Sequence, residues 1–157
     1  MEAETLWLES YEGEVLGEAL FSRLAEREDD PERRRQLQVL TVLERSTKEL
    51  ATPVLARRGL TCDVESVRAA AFEMAHAVVA LPWAQFLGSF QPVISEYLAR
   101  YRRLVDLADD GAERAIAEAY VQHELALETF LRRALGEEPG DPTDVILDLP
   151  HVAAAAT

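Results

Sequence analysis

Three glutamates, Glu14, Glu18 and Glu44, stand where the helical repeat of their neighbours turns a side chain inward. Tyr11, Glu14, Glu18, Phe21 and Ala25 follow three- and four-residue steps, and so do Leu37, Leu40, Glu44, Thr47, Ala51 and Val54. Further on, Ile116, Tyr120, His123, Leu127 and Phe130 form a seam that carries His123, with Glu124 at its edge. Inward carboxylates repel one another and lose hydration unless they share a proton, pair with a cation or bind a metal. Carboxylate oxygens with an imidazole nitrogen close by suit iron, manganese or zinc, and such an ion can work on oxygen or peroxide. The candidate metal ligands are therefore Glu14, Glu18, Glu44, His123 and Glu124.

The elements that must position them read as helices. Leu6, Trp7, Tyr11, Val15, Phe21 and Leu24 predict a helix from Thr5 to Arg27. Asp30 can cap a second helix and Pro31 fits its first turn; Gly59 suits the left-handed residue that ends it. Asp63 can cap a third, roughly Val64 to Ala80, which Pro82 ends. Trp83 to Phe90 reads as a short helical turn or loop. Pro92 opens or kinks a helix running to about Leu107, and Asp110 with Glu113 has capping-box spacing for a last long helix, Gly111 to Leu135. The chain turns near residue 29, fifteen residues after Glu14 and fifteen before Glu44, so antiparallel helices would place the two at one height. A turn near residue 110 does the same for Glu96 and Glu124, although Glu96 falls toward the polar side of its helix.

Four long helices without a convincing strand predict an all-α bundle of two antiparallel hairpins, with the Val64 to Ala80 helix as the crossover. The expected division is a helical-bundle domain over 1–136 and a C-terminal tail over 137–157, where Pro139, Gly140, Pro142 and Pro150 surround a brief apolar patch at Val145, Ile146 and Leu147.

On these residues the chain resembles the ferritin-like superfamily, in particular rubrerythrin-like helical bundles. The resemblance covers about Thr5 to Leu135 and is carried by Tyr11-Glu12-Gly13-Glu14, Phe21 and Ala25, by Leu43-Glu44-Arg45-Ser46-Thr47, and by His123-Glu124. It implies a ferritin-like four-helix bundle in which a carboxylate from each of two helices and Glu-x-x-His from each of the others hold two iron or manganese ions. Glu14 and Glu44 match the carboxylates of the first hairpin; Glu124 and Glu96 are the candidates from the second. Thr47 and Leu127 stand where the family's histidines would follow Glu44 and Glu124, so the ligand set departs from the family's and is incomplete. The activity implied is that of a small non-haem oxidoreductase with a di-iron or single-metal centre and no organic cofactor. The alternative is a metal-free helical scaffold or protein-interaction module. Dimerisation fits either.

Composition narrows the field. Among 157 residues, 29 acidic side chains outnumber 16 basic ones, and a net charge of −13 repels phosphate backbones and argues against nucleic acid as a ligand. No apolar run approaches the roughly 20 residues of a membrane span. A single cysteine, Cys62, forms no internal disulfide, and the first residues lack the pattern of a secretion signal, so a cytoplasmic protein is expected. Glu73 and His76 share a helix face but stand alone on the crossover helix and read as ordinary polar surface. Trp7, Trp83, Phe86 and Phe90 read first as core. The paired arginines are interspersed with acids and read as helix ends or ion pairs.

Overall fold

The computed structural model describes residues 2–157. Among them all regular structure is helical and no strand forms: α1 (Glu2–Arg27), α2 (Pro31–Arg58), α3 (Val64–Val78), α4 (Trp83–Gly88), α5 (Gln91–Leu107), α6 (Gly111–Ala134), α7 (Asp144–Leu147) and α8 (Pro150–Ala155). No helix of the described residues is long and apolar enough to cross a membrane.

The helix ends follow from local chemistry. Asp30 accepts the Arg33 N–H at 2.9 Å and Pro31 occupies the first turn of α2, where no N–H is needed. That helix stops at Gly59, whose φ of 66° lets the Leu60 N–H reach back to the Leu55 carbonyl at 2.9 Å. Asp63 caps α3 through the Ser66 N–H at 3.1 Å. At α6 the cap is reciprocal: Asp110 accepts the Glu113 N–H at 2.8 Å, and Glu113 Oε2 accepts the Asp109 N–H at 3.1 Å. Glu113 is buried, and its carboxylate also receives Arg58 through Nε and Nη2, each at 2.8 Å.

Packing sorts the apolar side chains into two clusters at different heights. Trp7 of α1, Val54 and Leu55 of α2, Tyr101 and Leu104 of α5 and Tyr120 of α6 form one. Leu20, Phe21 and Leu24 of α1, Leu37 and Leu40 of α2, Ile94 of α5 and Phe130 and Leu131 of α6 belong to the other. The start of α1 thus meets the end of α2, and the start of α5 meets the end of α6, so each pair runs antiparallel. The crossover helix α3 packs on α1 through the buried Ala71 and Ala75, small enough to allow close approach.

The segment 137–157 differs from the expected tail. Ile146, Leu149 and Val152 are buried in the second cluster, and α7 and α8 pack against α2 and α6. Their three-residue spacing gives two short helical turns one apolar face. The prolines and glycines bend the chain back instead of releasing it. Asp141 pins that bend, accepting the Thr143 N–H at 2.8 Å and pairing with Arg35 at 2.9 Å.

Candidate metal centre

Between the two apolar clusters lies a band of buried polar side chains. Glu14 lies seven residues beyond Trp7 and six before Leu20 on α1; Glu44 separates Leu40 from Ala51 on α2; His123 follows Tyr120 on α6. All are buried, Glu14 and His123 to 1% exposure. His123 is the centre of the group: its Nδ1 lies 3.6 Å from Glu14 Oε2, and its Nε2 lies 3.5 Å from Glu44 Oε1 and 3.8 Å from Glu124 Oε1. One donor atom from each of Glu14, Glu44 and His123 falls within 4.8 Å of the others.

Hydrogen bonding accounts for only part of this cluster. Tyr101 donates to Glu14 Oε1 at 3.2 Å, while Glu14 Oε2 is buried with no hydrogen-bond partner. An unpaired buried oxygen is costly unless it is protonated or ligates a cation. Burial, reinforced by the charge of Glu44, holds the Glu14 carboxyl well above the usual carboxylate range. Burial also raises Glu124 to about 8, with the His123 charge opposing and Glu44 adding to the shift. Burial disfavours charge on His123, but Glu44 and Glu124 outweigh it and raise its pKa. The raised values of Glu14 and Glu124 reflect burial and a mutual repulsion of carboxylates that a bound cation would relieve.

Two residues that support this geometry were not legible as functional. Thr47 stands where the resemblance places a histidine, and its hydroxyl donates to the Leu43 carbonyl at 2.9 Å. That leaves it two lone pairs, which meet His123 Nδ1 and His151 Nε2, each at 2.9 Å. Both imidazole nitrogens must therefore donate, so in neutral His123 the proton sits on Nδ1 and the Nε2 lone pair faces Glu44 and Glu124. His151 comes from α8, the segment expected to be a tail; burial, with the nearby His123, pulls its pKa down to about 4. Gly17 is the second supporting residue: a Cβ there would come within 2.5 Å of Glu44 Oε2, so the absence of a side chain admits the carboxylate. Its one sequence signal was a glycine at four-residue spacing from Gly13 on an inward face.

The candidate ligands separate accordingly. Glu14, Glu44, His123 and Glu124 converge. Glu18 does not join them: it forms ion pairs with Arg45 at 2.9 Å and with Lys48, which hold its carboxyl below the usual range against the effect of partial burial. Lys48 and Arg45 reach it because it lies one turn past Glu14, at the rim between α1 and α2. Glu96 is exposed and pairs with Arg100 at 2.6 Å. Glu73 and His76 are exposed on α3.

The residues fit a divalent transition metal. Two carboxylates, Glu14 and Glu44, and the His123 imidazole supply hard oxygen and borderline nitrogen donors, with Glu124 beside His123 Nε2, and one Glu14 oxygen lacks any other partner.

A cavity of about 250 Å³ adjoins the group, bounded by α1, α5 and α6 with side chains from α3 and α4. Glu14, Glu44, His123 and Glu124 line it together with apolar residues such as Leu20, Phe21, Ile94 and Phe130.

No known protein-family model, curated protein or solved structure gives a significant match to this chain.

Proposed function

We propose that this chain is a ferritin-like, rubrerythrin-like four-helix bundle that binds a transition metal, iron or else manganese or zinc, and acts as a small non-haem oxidoreductase. In this reading α1–α2 and α5–α6 are the two antiparallel hairpins and α3 is the added crossover helix. Glu14, Glu44, Glu124 and His123 hold the ion. The carrying observation is the buried convergence of Glu14, Glu44 and His123 with one Glu14 oxygen left unpartnered.

A single-metal centre suits this donor set better than the family's pair. His123 is the one imidazole among the converging ligands, and Thr47 occupies a further ligand position as an acceptor for it. When bound, iron or manganese supplies Lewis acidity and one-electron chemistry toward oxygen or peroxide. The chain's own contributions are distinct. Thr47 fixes the His123 tautomer, Gly17 makes room for Glu44, Tyr101 orients Glu14, and the flanking apolar clusters exclude water.

The test is metal analysis of protein expressed without an affinity tag, followed by anaerobic Fe(II) titration. Stoichiometric binding that Glu44→Ala abolishes is the expected result. Folded protein that takes up neither iron, manganese nor zinc above background overturns the reading.

One feature favours the alternative of an interaction module. Phe72 and Met74 of α3 and Val79 just after it are each more than 40% exposed, and an apolar surface of this kind suits contact with another protein or a second copy of the chain. Sedimentation of wild type against Phe72→Glu separates a homodimer through this face from a monomer.

A further inference from the structure

The cavity beside the carboxylates is more than a packing defect. Its walls come from α1, α2, α4, α5 and α6 and are almost entirely aliphatic and aromatic; Leu20, Phe21, Leu87, Ile94, Leu127 and Phe130 contribute. Its inner end is formed by Glu14, Glu44, His123 and Glu124. Met74 of α3 and Val93 of α5 also line it and are 41% and 42% exposed, which places its mouth between these two helices. An apolar chamber with one open end and one polar end is built for an elongated molecule carrying its polar atom at one terminus.

Size limits that molecule. A protein cavity of about 150 Å³ accepts benzene, with six non-hydrogen atoms, so about 250 Å³ accommodates about ten. Charge limits it as well. The carboxylates at the inner end oppose an anionic head group. In the metal-free chain a hydroxyl group meets the requirement, because it both donates and accepts beside Glu14 Oε2, the buried oxygen without a partner.

We propose that this cavity is a binding site for a neutral, predominantly aliphatic primary alcohol of about ten non-hydrogen atoms, entering between Met74 and Val93 with its hydroxyl toward Glu14. That this ligand is also what the metal centre acts on rests on the functional reading above; its binding does not.

Calorimetric titration of the full chain with 1-octanol, after chelation and again after metal loading, tests the site. The expected result is one molecule per chain with a Kd of about 0.1 mM, and at least tenfold weaker binding of octanoate. Leu127→Trp fills the cavity from α6 and is expected to weaken octanol binding at least tenfold. Because a tryptophan there can prevent folding, Leu16→Trp, on the partly exposed α1 wall, is measured in parallel with the same expectation. Saturable 1:1 binding lost in either folded variant supports the site. No saturable binding, several equivalents bound, octanoate or octylamine preferred, or wild-type binding in every variant that folds overturns it. Octanol binding in a chain that takes up no metal leaves this site standing and removes only the metal reading; metal uptake without octanol binding does the reverse.

Discussion

Thr47 Oγ1 lies 2.9 Å from His123 Nδ1 and equally far from His151 Nε2, so one hydroxyl on α2 joins the candidate ligand on α6 to the C-terminal helix α8. Thr47 thereby orients the imidazole of His123. Thr47→Val keeps the shape and removes the acceptor from both rings. Metal affinity is expected to fall about 10- to 100-fold, and stability by about 1–3 kcal/mol. Thr47→Ser is expected to restore both, as read by competition titration with a chromophoric chelator and by urea unfolding.

Gly17 and Glu44 form a second dependence across the α1–α2 contact. In Gly17→Ala the new methyl would sit 2.5 Å from Glu44 Oε2, so the carboxylate must shift from its place in the cluster. Alanine favours the helix by up to about 1 kcal/mol, which offsets part of the displacement. The expected outcome is a protein that melts close to wild type yet binds metal at least tenfold more weakly; unchanged affinity would show that Glu44 is no ligand.

The acid cluster sets a pH signature for the metal-free chain. Glu124 has a folded pKa of about 8 against an ordinary value of 4.5, a raised value, so its contribution to stability is complete below 4.5 and is lost as pH rises through 8. Glu14 and His123, both raised, act in the same direction. The melting temperature of chelated protein is expected to fall between about pH 5 and pH 8, less steeply in Glu124→Gln. Metal uptake at pH 7 is expected to release protons, measurable as a buffer-dependent binding enthalpy.

Glu113 predicts the opposite dependence at low pH. The hydrogen-bonded Arg58 guanidinium holds its carboxyl at about 2, against the effect of burial, with the Asp109 N–H and Arg57 assisting. Its folded value is depressed from 4.5, so this stability is present above 4.5 and is lost as pH falls through 2. Glu113→Gln leaves Arg58 poorly matched in a largely buried position. Chemical denaturation at pH 7 is expected to show a loss of about 2–4 kcal/mol without change in metal affinity.

Ile146 tests whether the C-terminal segment belongs to the folded unit. It is fully buried among residues of α2 and α6. Ile146→Ala is expected to cost about 2–5 kcal/mol. A single denaturation transition, followed both by far-UV circular dichroism and by an amide-exchange probe at Val152, would show that α8 unfolds with the rest. Early loss of protection at Val152 alone would show the segment to be separately attached.

The sequence by itself determined not α7 and α8 but the four long helices, the crossover helix α3 and the inward faces that carry Glu14, Glu44 and His123. Those follow from local causes: the 3.6-residue repeat, the caps at Asp30, Asp63 and Asp110, and glycine after α2. Periodicity also placed Glu18 on an inward face, because it reports direction around one helix and nothing about what a neighbour presents. Only the tertiary structure decided that Arg45 and Lys48 of α2 meet Glu18 at the rim, that Thr47 meets His123 from the facing helix, and that Ile146, Leu149 and Val152 fold back to close the core. Each of these joins residues far apart along the chain, and it exists because burying a charge or an apolar face requires a partner that the local sequence does not supply.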